Sequence, residues 1–238
     1  MSDSHAYSSQ FLGWLQDYIG KLPSASMAEI VGQAGGPDRV WVVAVDIIKG
    51  FCVEGPLASE RVGAIAEPAA ALIQRAWDAG VRRIMMPRDA HDPESVEFGA
   101  WPPHCVAGTE ESELVDELTE LPMAEHFQVL DKNSLSAIQD TDLSRIIQND
   151  GLPEAVICIG DCTDLCLYNL ALGFRLISNA RNEPLRVVVP ADCVETYHMD
   201  VGTAEELGAL PHDGDLLHDL FLYHMALNGC QVVSEVTT

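Results

Sequence analysis

Lysine is almost missing from this chain. Only Lys21, Lys49 and Lys132 occur in 238 residues, and the basic total is 13 against 37 acidic residues. A formal net charge of −24 argues against nucleic acid and anionic membrane as partners, since both need basic patches. Long apolar runs are also missing. None reaches the ~18 residues of a membrane-spanning helix, and Met1–Gln10 is polar, without the apolar centre of a signal peptide. Neither a GxGxxG turn nor a P-loop lysine motif occurs, so nucleotide sites of those kinds have no support. Cysteine is odd in number, at 52, 105, 158, 162, 166, 193 and 230, in a chain far longer than a disulfide-stapled miniprotein. Free thiols in a reducing cytoplasm are expected.

What is present is a composition that builds a full core, 47% hydrophobic, with helix and strand signals in alternation. Phe11–Leu22 carries apolar residues at helical spacing and predicts an extra N-terminal helix whose aromatics pack on the domain. A turn at Gly35, Gly36 and Pro37 follows, which divides residues 1–37, a helical extension and linker, from a single domain over 38–238. Val40–Val45 reads as a strand buried on both faces. Glu60–Gly80 reads as a helix that Pro68 kinks or restarts. Further strands are expected at Arg83–Met86, Phe127–Leu130, Ala155–Gly160 and Leu185–Pro190, with a last strand or tail at Cys230–Val236. Helices are expected at Glu110–Leu118, Asp142–Gln148, Leu165–Ile177 and His212–Ala226. This alternation predicts an α/β fold: a three-layer α/β/α, doubly wound, mainly parallel sheet with an added N-terminal helix.

Four polar features fall at or just past strand ends, and in a doubly wound sheet the carboxyl ends of the strands face one crevice. Asp46 ends the first strand. Lys132 follows the third, although an ordinary surface lysine reads the same way and Lys49 is a rival. Cys166 stands near the start of a helix, where the macrodipole favours a thiolate; a buried structural cysteine is the plain alternative. The turn before it, Gly160–Asp164, offers backbone N–H groups suited to an oxyanion.

The fourth feature is Met86–Val106. Its prolines at 87, 93, 102 and 103 rule out a regular element. It carries Asp89, His91, Glu97 and His104, with Phe98 and Trp101 between them. Mixed imidazole and carboxylate donors suit Zn²⁺, Mn²⁺ or Fe²⁺ and fit Ca²⁺ poorly. The spacing itself matches no zinc-finger pattern. Cys105 adjoins His104, and its side chain should diverge from that ligand set.

At these residues the chain resembles the isochorismatase-like hydrolase superfamily, and within it the nicotinamidase (pyrazinamidase) branch. Val45-Asp46 followed by Gly50-Phe51-Cys52 is similar to that group's first strand end. Asp89-Ala90-His91 with Glu97-Phe98, and Trp101-Pro102-Pro103-His104-Cys105 with Gly108-Thr109, resemble its metal loop. Lys132-Asn133-Ser134 resembles the segment with its lysine, and Cys162-Thr163-Asp164-Leu165-Cys166 its nucleophile turn. The match runs in order from about Val40 to Tyr197.

The resemblance implies an isochorismatase-like, Rossmann-like fold and a catalytic triad of Cys166, Asp46 and Lys132. It implies a cis peptide between Asp161 and Cys162, and an oxyanion hole from the backbone N–H groups of Cys162 and Cys166. It implies one divalent transition metal, zinc or else manganese or iron, on Asp89, His91 and His104. Glu97 stands where a further histidine is frequent. Phe51 and Trp101 would wall the substrate. The implied substrate is a small amide, nicotinamide, with the metal on the pyridine nitrogen, and the implied assembly is a homo-oligomer. Another superfamily amidohydrolase, acting on a different amide or a ureido group, is the alternative; a non-catalytic metal- or metabolite-binding protein is the third reading.

Overall fold

The computed structural model describes residues 4–238, with side chains described from Ser8 onward. The first strand of the main sheet, β2 (Val40–Val45), is buried at all six positions. Val40, Val42 and Ala44 face one apolar cluster and Trp41, Val43 and Val45 the other. A strand with no polar face needs helices on both sides, and it has them.

On the first side lie α2 (Met27–Ala34), α4 (Glu60–Gly63), α5 (Ala66–Asp78) and α6 (Asp116–Thr119). On the second lie α7 (Asp142–Asp150), α8 (Cys166–Arg181) and α10 (Gly214–Leu227). The remaining strands of the sheet are β3 (Arg83–Asp89), β4 (Gln128–Lys132), β5 (Ala155–Asp161), β6 (Arg186–Pro190) and β8 (Gln231–Val233), with the short β7 (Val194–Glu195) against β5. Among the described residues the order is β4-β3-β2-β5-β6-β8, and every pairing is parallel. The doubly wound α/β architecture expected from the sequence is therefore the one observed. Order reverses between β2 and β5, the place where such sheets open a crevice at their carboxyl ends.

Several boundaries differ from the sequence reading, each for a local reason. The Glu60–Gly80 segment is two helices, α4 and α5, with Pro68 in the first turn of α5, where its missing N–H is not needed. The Glu110–Leu118 segment is also split, into a 3₁₀ turn at Glu110–Ser112 and the one-turn α6. β3 runs on to Asp89 and β4 to Lys132, paired residue for residue. Pro87 lies past the last β2–β3 register pair, Val43 with Met85, and its carbonyl still accepts the Asp46 N–H. α9 (Val201–Leu207) and the one-turn α3 (Lys49–Cys52) lie in stretches where the sequence predicted no element.

The N-terminal helix, α1 (Ser4–Ile19), begins earlier than expected. Its aromatics do not enter the core. Phe11, Trp14 and Tyr18 gather around Tyr223 of α10, and Trp14 stays 49% exposed. Residues 25–34 are more tightly tied than a linker. Met27, Ile30 and Ala34 are buried in the main cluster, and β1 (Ala25–Ser26) pairs with β9 (Val236–Thr237) at the chain's other end. The cue in the sequence is the Met27, Ile30, Val31, Ala34 spacing, which has helical period.

Candidate active site

Three adjacent strand ends are stapled to one another. The Asp46 N–H donates to Pro87 O at 2.9 Å, the Asp89 N–H to Asp46 Oδ1 at 2.8 Å, and the Ala90 N–H to Lys132 O at 3.0 Å. Asp46 takes a left-handed backbone, φ 58°, which aspartate tolerates better than most residues. On the other flank of β2, Gly160 lies against Val45: a Cβ there would stand 1.9 Å from Val45 O. Only glycine lets β5 deliver its end this close to Asp46.

These ends converge on one ammonium. Lys132 Nζ donates to Asp89 Oδ1 at 2.6 Å and to Ser134 O at 3.2 Å, and lies 3.7 Å from Cys166 Sγ. It also stands 2.8 Å from Asp46 Oδ2. That last contact is an ion pair outside hydrogen-bonding angles, because Oδ2 has no hydrogen-bond partner. Cys166 Sγ lies within 4.8 Å of a carboxylate oxygen of both Asp46 and Asp89. The whole cluster is closed to solvent: Asp46, Asp89, Lys132 and Cys166 are each at most 4% exposed.

Burial and charge set the resting protonation. Burial pushes the Asp46 carboxyl up to about 7, against the pull of Lys132 and with a further push from Asp89. Asp89 is held below the ordinary range, because Lys132 and His91 outweigh its burial. The two carboxylates keep the Lys132 ammonium charged in spite of its burial. Burial lifts the Cys166 thiol well above its ordinary value, more than Lys132 lowers it. Cys166 is the first residue of α8, as the sequence reading required, yet the helix dipole alone does not make it a thiolate. It needs a base, and Asp46 is the group beside it.

The proline-rich loop ends on the same cluster. Asp89 Oδ2 faces His91 Nε2 at 3.4 Å and His104 Nε2 at 3.9 Å. His91 Nδ1 is turned to Asn133 Oδ1 at 3.2 Å, and His104 Nδ1 to Pro102 O at 2.8 Å. Both imidazoles thus place their N–H on a fixed acceptor and aim the other nitrogen at Asp89. His91 Nε2 is buried without a hydrogen-bond partner. Two imidazole nitrogens and a carboxylate oxygen within 4.8 Å of one another are a donor set that fits a divalent transition metal.

Comparison with known proteins follows the same line. The isochorismatase domain profile matches residues 40–232. The chain belongs to the isochorismatase family. Nicotinamidase 1 of Arabidopsis thaliana is 28% identical to this family member over 83% of its chain and 86% of the plant protein. A solved pyrazinamidase/nicotinamidase from Streptococcus mutans superposes with a TM-score of 0.63 at 22% identity, covering 82% of this chain and 99% of that one. A pyrazinamidase of Pyrococcus horikoshii in complex with zinc gives 0.63 at 22% over 82% and 98%. An N-carbamoylsarcosine amidase from Thermoplasma acidophilum gives 0.60 at 24% over 82% and 95%. At these identities the solved structures carry the fold, and the domain profile carries membership: this is an isochorismatase-family hydrolase.

In this isochorismatase-family chain the other residues named from sequence divide as follows. Phe51 is 8% exposed and its ring lies 5.6 Å from that of His104. Trp101 is half-buried and meets Tyr197 edge-on at 6.4 Å. The Asp161–Cys162 peptide is cis. Within the turn, the Thr163 N–H donates to Glu195 O, and the N–H groups of Leu165 and Leu167 to Cys162 O. The N–H groups of Cys162 and Cys166 have no carbonyl partner among the described residues. Glu97 is not gathered into the metal-type cluster. Its Oε2 accepts the Leu135 N–H at 3.2 Å, although the carboxylate stays close enough to favour the charged form of both imidazoles against their burial. The rival Lys49 is taken up by Glu110, Glu113 and Asp116. Cys105 is buried under Gly50, and its N–H goes to Glu111.

The roles of some neighbours escaped the sequence reading. Asn133 orients His91, and the Phe98 ring lies 5.4 Å and 5.7 Å from the two imidazoles. The nucleophile turn is clasped from the C-terminal side: Asp164 accepts from Thr196 Oγ1 at 2.6 Å and meets His212 Nε2 at 2.8 Å, while Thr163 Oγ1 meets His218 Nδ1 at 2.9 Å. Asn133 adjoins Lys132 in sequence and could have been flagged. Thr196, His212 and His218 carry no local signal, since only the wrap of β7 and α10 over the turn makes them neighbours.

Proposed function

We propose that this protein is an amidohydrolase of the nicotinamidase type, releasing ammonia from nicotinamide through a thioester on Cys166. The observation that carries the reading is the solvent-closed cluster of Asp46, Lys132 and Cys166 at the ends of β2 and β4 and the start of α8, with an unpartnered Asp46 oxygen and a thiol that burial keeps protonated.

Asp46 Oδ2 takes the thiol proton as Sγ forms its bond to the carboxamide carbon, and the carbonyl π electrons move onto oxygen. Lys132 lowers the cost of the thiolate from 3.7 Å. The N–H groups of Cys162 and Cys166 are the donors left open for that oxygen; one such donor is worth about 3–4 kcal/mol in acyl-transfer sites. Asp46 returns the proton to nitrogen as the C–N bond breaks, and ammonia leaves. Asp46 then takes a proton from water, whose oxygen displaces Sγ and frees the acid. Asp89, His91 and His104 would hold the divalent metal, which supplies a Lewis acid for the ring nitrogen. Phe51 and Trp101 would flank the ring. The N-carbamoylsarcosine amidase likeness supports a ureido or other amide substrate as the second reading. The test is ammonia release from nicotinamide by wild type and Cys166→Ala: loss of turnover in the variant supports the assignment, and retention of most of it refutes the triad.

A further inference from the structure

Three carboxyls lie buried in this centre, and the amidase reading uses two. The third is Asp161, the last residue of β5, 1% exposed. Its Oδ1 has no hydrogen-bond partner. Its Oδ2 meets the Cys162 thiol, with Sγ at 3.7 Å. No cation is paired with it, because Lys132 is committed to Asp46 and Asp89. An apolar side chain would fill such a position at no electrostatic cost. A buried carboxyl with one oxygen unpaired and only a weak thiol donor on the other costs free energy, so its Oδ1 calls for a further partner.

Its surroundings say where that partner sits. Strand alternation puts Asp161 on the face of Ile159, the face that carries Phe51 and Cys105. It lies within electrostatic reach of Asp46, Lys132 and Asp89, and of the thiols of Cys52 and Cys105. The carboxyl therefore belongs to the same buried centre as the acid–lysine cluster, on the face that carries Phe51. It directly precedes Cys162, whose N–H is one of the two open donors, so it belongs to the amide end of the substrate. Burial, and then the Asp46 carboxylate, hold it well above the usual carboxylate range. A neutral carboxylic acid carries an O–H and can donate.

We propose that Asp161 is a specificity-determining residue: it donates a hydrogen bond to an acceptor atom flanking the scissile carboxamide, and so favours, over nicotinamide itself, small amides with a ring nitrogen or similar acceptor beside the amide-bearing carbon. This rests on the amidase reading of Cys166.

Nicotinamide and pyrazinamide form the matched pair, since the second replaces one ring C–H beside the amide-bearing carbon by nitrogen and keeps the other ring nitrogen. The measurement is the ratio of kcat/KM for pyrazinamide over nicotinamide in wild type, Asp161→Leu and Asp161→Asn. The intrinsic reactivity of the two amides cancels when ratios are compared between enzymes. Asp161→Leu should lower the ratio about tenfold, the order expected for one lost hydrogen bond. Asp161→Asn keeps a donor and should stay within about threefold of wild type. If leucine overpacks the position, Asp161→Ala gives the same comparison without added bulk. An unchanged ratio in the leucine or alanine variant overturns the assignment. Ammonia release that survives Cys166→Ala overturns the amidase reading and this inference together; Cys166-dependent release with an unmoved ratio overturns the role of Asp161 alone.

Discussion

Lys132 Nζ lies 2.6 Å from Asp89 Oδ1 and 2.8 Å from Asp46 Oδ2, so one ammonium joins the acid beside the thiol to the acid between the histidines. Asp89 thus serves both halves of the site. Removing the ammonium strands two buried carboxylates. Lys132→Met should abolish ammonia release and destabilise the fold by about 3–5 kcal/mol, read from urea unfolding midpoints. A variant as stable as wild type would show that the ion cluster is not what holds the strand ends.

The protonation of Asp46 sets a pH limb. Its carboxyl is pushed up to about 7, and only the ionised form can take the thiol proton. Acid conditions therefore protonate the base and silence it. kcat/KM should fall by roughly tenfold per unit below pH 7 and level off above it. A flat profile between pH 5 and 8 would count against Asp46 as the base.

The loop makes a prediction about metal retention that is independent of turnover. His91→Ala and His104→Ala should copurify with little divalent metal, whereas Glu97→Gln should keep it, because Glu97 is held by the Leu135 N–H outside the Asp89–His91–His104 group. Asn133→Ala should weaken affinity by about 10–100-fold, through loss of the acceptor that orients His91. Elemental analysis of purified variants reads all of these. Equal metal content in Glu97→Gln and His91→Ala would refute the ligand set.

The clasp on the nucleophile turn has its own signature. Burial raises the Asp164 carboxyl, but hydrogen bonds from His212 and Thr196 more than offset it and hold it below the ordinary range. A depressed carboxyl contributes stability above its unfolded value of ~3.9 and loses it as pH falls through the folded value. Asp164→Asn should cost about 1.5–3 kcal/mol at pH 7, and the gap to wild type should close towards pH 3. A gap that is constant with pH would mean that the charge plays no part.

Much of this was legible along the chain. Val40–Val45 and Ala155–Gly160 announce buried parallel strands because both faces are apolar. The prolines of Met86–Val106 announce an irregular loop. Asp46, Asp89, His91, His104, Lys132 and Cys166 could each be named, because polar residues at the ends of apolar strands stand out. Glu97 illustrates the limit: its residue type and spacing suit a ligand, but which way its carboxylate turns depends on Leu135, 38 positions away. The aromatics of α1 show the same limit, since nothing local says that their partner is Tyr223 on α10 and not the core.

Periodicity and residue type are local properties, so the main strands, their alternation with helices and the chemical groups at the strand ends could be read along the chain. Folding set the rest: Lys132 shares its ammonium between Asp46 and Asp89, Asp164 is clasped by Thr196 and His212, and Asp161 Oδ1 is left without a hydrogen-bond partner. Those facts depend on distances between strands and on exclusion from water, and both are set when the β2–β5 crevice closes around its charges.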